Sequence, residues 1–312
     1  MVKPKVSVII PTYKRNKDLL GRAIESVLNQ TYNNVEVVVV DDNIPASSFR
    51  KDVEKFMEIY RDNTKVNYIK NVENLGGALA RNEGIEKSQG EFITFLDDDD
   101  VYLPHKVERQ LDLMISDNYD MTFTDLRIHN TNDELIDYRE FNFIKNFKND
   151  NLLKQHIMRH ITGTPTFMYK KKCLLMIEGF MEAKMGQEFY LMLKSIEANL
   201  KIGYLPFSDV VAYIHEGERI SSGANKLQGE NRLYNFKKRY FNRFNNREKM
   251  FIRFRHHVVM AVTGLRSKMP FICIKHAVLA VLSSPIDAII EPITYKRKVS
   301  NHKSFIKVNN EL

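Results

Sequence analysis

The chain has 312 residues, 43% of them hydrophobic and 28% charged, so it has the composition of a globular protein with room for a sizeable core. The formal charge of +8 is uneven: from Lys226 onward there are 18 Lys/Arg and 5 Asp/Glu, a net +13, which leaves −5 for the rest. The two cysteines, Cys173 and Cys273, are far apart in sequence, which excludes a disulfide framework or a zinc knuckle and suits a reducing, cytoplasmic setting.

The N-terminus leads straight into an apolar strand, Val6–Ile10, so no secretory leader is expected. Pro11 to Arg15 forms the loop after it. Asp18 reads as an N-cap, and Leu20, Ala23, Ile24, Val27 and Leu28 fall on one helical face. Val35–Val40 is a second strand ending in Asp41 and Asp42. A helix over 49–60, a short strand over 66–69 and a helix from Gly77 to about Ser88 follow. The next strand, Phe92–Leu96, runs into four aspartates, Asp97 to Asp100. The order β-α-β-α-β-α-β with near-continuous apolar strands implies a parallel sheet covered on both faces. Right-handed crossovers then bring the loops after the strands to one edge.

Four adjacent carboxylates repel one another, and burying one without compensation is costly. Two readings are open: a cation site of hard oxygen ligands, suited to Mg²⁺ or Mn²⁺, or an acidic turn facing solvent.

The middle of the chain is more mixed. Helices are expected over 107–115 and 152–160, single strands over 121–128 and 164–169, a helix from about Gly186, and a last strand over 210–214 leading to His215. Beyond Ala224, Lys and Arg alternate with Phe and Tyr, and an apolar run follows from Phe271 to Leu282. Lys275 and Pro285 leave that run short of the roughly 20 residues a membrane span needs. It reads either as a helix packed on the body or as one lying on a membrane surface. No nucleic-acid module is readable, and neither a P-loop nor a strand-linked G-x-G-x-x-G is present.

Five stretches, 6–13, 38–42, 74–85, 95–100 and 186–194, occur in the order found in the family 2 glycosyltransferases, which this chain resembles from Val6 to about Ser222. The resemblance implies an α/β fold of GT-A type: a mostly parallel sheet flanked by helices, here with a basic helical C-terminal extension. It divides the chain into a nucleotide-sugar half (1–100), an acceptor half (101–224) and the extension (225–312). The implied activity is inverting transfer of a sugar from a nucleotide donor, with UDP expected, to a saccharide or lipid-linked saccharide. The expected biology is bacterial surface polysaccharide assembly, with the enzyme cytoplasmic or peripheral on the inner face of the membrane.

For the donor, the resemblance implies contacts from Pro11, Tyr13, Arg15, Asp42, Gly76, Arg81, Asp97 and Asp98. It implies Asp99 as ligand to Mn²⁺ or Mg²⁺, with His215 as a further metal ligand, while Asp100 reads as a cap for the turn after it. Each position also has a structural reading: Asp42 as a strand-end cap, Arg15 as a solvated loop residue, Arg81 as the partner of a nearby carboxylate. The family commonly places Glu-Asp at the start of the helix near 187, with the Asp as base. Here the pair is Gln187 and Glu188, so Glu188 takes the base position with one methylene more. The departure at Gln187 keeps a second reading open, a catalytically silent relative that binds the nucleotide sugar.

Overall fold

The computed structural model describes residues 3–161, 163–183, 185–214 and 223–310, with side chains to 303. In chain order the elements are β1 (Val6–Thr12), α1 (Lys17–Leu28), β2 (Val35–Asp41), α2 (Ser48–Met57), β3 (Val66–Lys70), α3 (Gly77–Lys87), β4 (Phe92–Phe95) and β5 (Val101–Tyr102). There follow α4 (Lys106–Ser116), β6 (Met121–Thr124), β7 (Leu126–Asn130), β8 (Leu135–Arg139), α5 (Asn149–Arg159), β9 (Met168–Lys170) and α6 (Lys171–Met176). The remainder is α7 (Gln187–Glu197), β10 (Ile202–Leu205), β11 (Val210–Ile214), α8 (Gly223–Lys237), α9 (Asn246–Arg266), α10 (Pro270–Ser283) and α11 (Pro285–Asn310).

The chain divides into two compact units. The first comprises 1–147, 162–182 and 190–214; the second comprises 148–161, 183–189 and 215–312.

The first unit holds a seven-stranded sheet in the order β10-β6-β9-β4-β1-β2-β3. β1 pairs parallel with β2 and β4, and β2 parallel with β3, whereas β9 is antiparallel between β4 and β6. Every residue of β2 is buried, as a strand covered on both faces must be. The β1–β2 register aligns Thr12 with Asp41, so the loops after both strands leave from the same edge. Leu96 donates its N–H to Ile9 O, which brings the aspartate turn to that edge as well. A four-stranded sheet, β5-β11-β7-β8, completes the unit.

Several local expectations change. The cap of α1 is Asn16, whose side chain accepts the N–H of Asp18. The stretch 121–128 is two strands in different sheets, because the chain breaks at Asp125. Residues 164–166 form a 3₁₀ turn, Pro165 having no N–H for a ladder, and only 168–170 is strand.

The second unit is helical. Asn245 and Glu248 form a reciprocal cap that starts α9. Phe251, Phe254 and Ala280 are buried together, with Met158, Val258 and Ala288 packed around them.

Candidate active site

At the C-terminal edge of the parallel strands, Asp97 to Asp100 form a tight turn closed by Asp100 N–H to Asp97 O, 3.0 Å. The side chains alternate. Asp97 and Asp99 are 38% and 19% exposed, whereas Asp98 and Asp100 are buried. Outward carboxylates are therefore Asp97 and Asp99.

Arginines gather around the turn. Arg15 Nε lies 2.8 Å from Asp98 and its second nitrogen 3.1 Å from Asp99. Arg81, one turn into α3, meets Asp97 at 2.5 Å and stands over the Phe180 ring. Arg22 of α1 donates to the carbonyl of Asp99, 2.7 Å, and lies over the Tyr213 ring. The backbone N–H of Tyr213 reaches the Asp100 carboxylate at 3.0 Å. Asp100 thus ties the turn to β11 instead of capping the segment after it.

Arg15 and Arg81 pair with Asp97, Asp98 and Asp99, yet burial pushes Asp98 up to about 6. Burial, followed by the charges of Asp97 and Asp99, raises Asp100 well above the ordinary carboxylate range. The partly exposed Asp97 and Asp99 present hard carboxylate oxygens, the donor type that suits a divalent cation, Mg²⁺ or Mn²⁺. Among the described residues, no group of three or more His, Cys, Asp or Glu side chains is arranged to hold a metal.

The Asp42 carboxylate is filled by protein donors. It accepts Asn71 Nδ2 at 2.8 Å, Asn74 Nδ2 at 2.8 Å, Leu75 N at 2.9 Å and Gly76 N at 2.8 Å. Those four bonds match the roughly four lone-pair directions of a carboxylate. The residue is 2% exposed. It works as the clasp of the loop that starts α3, which departs from the expected direct contact with base or ribose. Gly76 also differs in detail. Its φ of +79 needs glycine, but a Cβ there would meet nothing within 4 Å, and its N–H is committed to Asp42. The left-handed backbone explains this glycine, and the space beside it is open.

Asp41 is equally internal, held by Arg50 and by Tyr68 Oη at 2.6 Å. Tyr13 and Pro11 are partly exposed on the loop side, and Lys14 stands over the Tyr13 ring. Asn82, next to Arg81, clasps Phe180 through both amide atoms, each at 2.8 Å. Phe180 in turn packs edge-on against Phe95. This chain of contacts sets the platform under Arg81.

Glu188 belongs to the second unit, half-buried in the first turn of α7. Its neighbour Phe189 is fixed by His156. The imidazole stacks on the Phe189 ring with centroids 4.4 Å apart, and its Nε2 lies 2.9 Å from Phe189 O. Ile161 N–H donates to Nδ1 at 3.0 Å, so Nε2 carries the proton and the ring is neutral. Burial lowers its pKa to about 3. Gln187 uses its amide to reach the carbonyl of Ala183. His215 lies outside the described residues.

The structure therefore brings together Pro11, Tyr13, Arg15, Asp42, Gly76, Arg81 and Asp97 to Asp99 in the first unit. Arg22, Asn71, Phe180, Tyr213 and, in the second unit, His156 were not visible as site residues in the sequence. An isolated Arg, Tyr or His in a helix or strand carries no local signal, whereas Asn74 sits inside a readable motif.

The model of the family described as Glycosyl transferase family 2 matches residues 7–174. An uncharacterized glycosyltransferase of Methanocaldococcus jannaschii is 31% identical over 175 residues, 56% of this chain and 58% of the relative. Another relative is the UDP-Glc:alpha-D-GlcNAc-diphosphoundecaprenol beta-1,3-glucosyltransferase WfgD of Escherichia coli. It is 32% identical over 127 residues, 41% of this chain and 47% of the relative. The first curated relatives are matched over only 16% to 58% of their own length. Among solved structures, S. aureus TarS 1–349 in complex with UDP-GlcNAc superposes with a TM-score of 0.57. The identity is 18%, with 89% of this chain and 91% of that one covered. With more than half of its length matched by the family model, the chain belongs to glycosyl transferase family 2 and has the GT-A-type fold.

Proposed function

We propose that the protein is an inverting, metal-dependent glycosyltransferase. It moves a sugar from a UDP-linked donor to a hydroxyl of a saccharide or lipid-linked saccharide at the cytoplasmic face of the membrane. Bacterial surface polysaccharide assembly is the setting. The observation that carries the reading is the gathering of Arg15, Arg81 and the partly exposed carboxylates of Asp97 and Asp99 at one sheet edge. WfgD, described as a UDP-Glc transferase, and TarS, crystallised with UDP-GlcNAc and with UDP, support the choice of donor.

In this reading Tyr13, beside Pro11, stacks on the base. Asp42 acts through the loop it clasps, holding the start of α3 and so Arg81 in place. Arg15 and Arg81 offer fork-shaped donors that suit phosphate oxygens. Asp99 is the residue proposed to hold the cation, with Asp97 or Asp98 beside it and His215 as a further ligand. A cation held by these residues would supply the charge neutralisation that lets the nucleoside diphosphate depart unprotonated.

Glu188 is the proposed base. It takes the proton of the acceptor hydroxyl as that oxygen attacks the anomeric carbon from the face opposite the diphosphate. The carbon–oxygen bond to the diphosphate breaks, and its electron pair leaves with the nucleotide. His156 acts as a positioning residue, fixing the backbone one residue after Glu188.

The test is sugar transfer from a panel of UDP-sugars with Mn²⁺ and with EDTA, for the native chain and Glu188→Gln. Loss of the base lowers kcat by about 10²–10⁴ while leaving the donor KM within a few-fold. A Glu188→Gln protein with native kcat removes Glu188 from the mechanism.

A further inference from the structure

In the second unit α10 meets α9 through small residues, through Ile272 beside Gly264 and through the His257–His276 pair, 3.0 Å between Nδ1 atoms. A Cβ at Gly264 would stand 2.8 Å from the backbone nitrogen of Cys273, and Ala280 is buried against the α9 phenylalanines. Most bulky side chains of α10 point outward instead, Ile272 and Leu279 being half-buried. Phe271 is 78% exposed and Leu282 71%, and Ile274, Val278 and Val281 are exposed with them. Their spacing of three or four residues makes one stripe. α11 repeats the pattern with Ile286, Ile289, Ile290 and Ile293, all exposed. A helix packed on a protein body has its bulk inside and polar residues outside. This pair is the reverse, and contiguous exposed apolar surface marks an interaction site.

Charge identifies the partner. Between 266 and 303 there are seven Lys/Arg and two Asp/Glu. Both acids are spoken for within the unit. Asp287, 7% exposed, takes two bonds from Arg247 at 2.6 and 2.7 Å and one from Ser284 Oγ at 2.6 Å. Glu291 pairs with Arg159 at 3.2 Å and Arg255 at 3.9 Å. The exposed charges are basic: Arg266, Lys268, Lys275, Lys296, Arg297 and Lys303. Lys275 lies within the apolar stripe, where its stem covers apolar surface and its ammonium reaches toward polar groups.

Among the described residues no single helix is long and apolar enough to cross a membrane. α10 and α11 bend by 108° at their junction, where Ser284 is held by Asp287 and Arg247. A recess of ≈ 390 Å³ at the α9–α10 corner, lined by Leu265, Met269, Pro270, Cys273 and Ile274 among others, adds an apolar slot beside the stripe.

We infer that α10 and α11 form a membrane-docking element that lies in the interface of an anionic phospholipid bilayer, apolar stripes inserted and lysines at the headgroups. The inference deepens the transferase reading, on which its purpose rests, by naming the surface and the lipid class that bring the enzyme to a lipid-linked acceptor.

The experiment is flotation of the full chain with vesicles of phosphatidylcholine, with and without phosphatidylglycerol. The native protein floats with the anionic vesicles and is released by high salt. Phe271→Ser with Ile274→Ser and Ile289→Ser lowers the bound fraction about tenfold or more. Lys275→Gln and Lys296→Gln each lower the affinity about fivefold. Circular dichroism confirms that each variant is folded; Ile286→Ser with Ile293→Ser serves if the triple variant is not. A native chain that stays in the soluble fraction with anionic vesicles overturns the inference. So does a native dimer, seen by light scattering, that the same serines dissociate without affecting flotation, since the face is then a contact between two copies. Asp99→Ala floats like the native chain. Protein that floats but transfers no sugar from any donor defeats the transferase reading and leaves the docking element standing.

Discussion

Nε of Arg15 lies 2.8 Å from Oδ1 of Asp98, and this bond joins the loop after β1 to the turn after β4. Asp98 is 5% exposed, so its charge depends on that partner. Arg15→Ala is expected to cost roughly 2 kcal/mol, the scale of a hydrogen bond to a charged group. Arg15→Lys keeps the charge but loses the fork and recovers part of the loss. Urea unfolding measures both; an alanine variant as stable as the native chain would mean that the bond organises nothing.

Two glycines in left-handed backbone separate conformation from crowding. Gly76, φ +79, has open space around a built Cβ, whereas Gly179, φ +51, would place one 2.4 Å from Asn82 Oδ1. Gly76→Ala is expected to cost about 1–3 kcal/mol from backbone strain alone. Gly179→Ala adds a steric clash and breaks the Asn82–Phe180 clasp, so it costs more. Combined with Asn82→Ala, its effect is less than additive. Thermal unfolding of the three single variants and the Gly179→Ala/Asn82→Ala double decides, and equal costs at the two glycines would contradict the steric argument.

His156 makes stability fall in acid. Its folded pKa of about 3 lies below the ordinary imidazole value of about 6.5. Between those values the unfolded chain binds the extra proton, so stability rises with pH. The contribution is complete above about pH 6.5 and is lost as pH falls toward 3; its size is on the order of a few kcal/mol. His156→Gln flattens the slope of Tm against pH in this window. An unchanged slope would assign the acid sensitivity to other groups.

For the aspartate turn, ligand linkage gives a readout without turnover. A ligand that binds only the folded chain raises Tm in proportion to the logarithm of its concentration. UDP with Mn²⁺ is expected to stabilise the native chain more than UDP with EDTA. Asp99→Asn is expected to abolish the difference while keeping the native Tm without ligand, since Asp99 is partly exposed. The same Mn²⁺ dependence in the variant would move the cation away from Asp99.

The β-α alternation over 6–96 was legible because central strands are continuous apolar runs and the helices between them have one apolar face. The carboxylates of the site and Arg15 were legible because they sit in loops after those strands, and Arg81 because it lies in the readable motif that opens α3, whereas Arg22 inside α1 gave no signal. Asp42 shows the limit. Its sequence context suits a ligand or a cap equally, and only the positions of Asn71, Asn74, Leu75 and Gly76 reveal that its oxygens are already satisfied. The break in 121–128 was hidden because both halves are β-formers, and the sheet each one joins is set by partners distant in sequence. His156 was equally silent: what fixes it is the carbonyl of Phe189, 33 positions away.

Asp125 is the only residue between β6 and β7, and those strands lie in different sheets. Its amide donates to Phe207 O, while Tyr204 and Tyr138 hydroxyls meet its two oxygens. A junction this short has no slack. One inserted residue would turn every side chain of β7 to the opposite face, whereas the turn at 131–134 could absorb it. Sequence length at this junction is therefore a stricter constraint than residue identity.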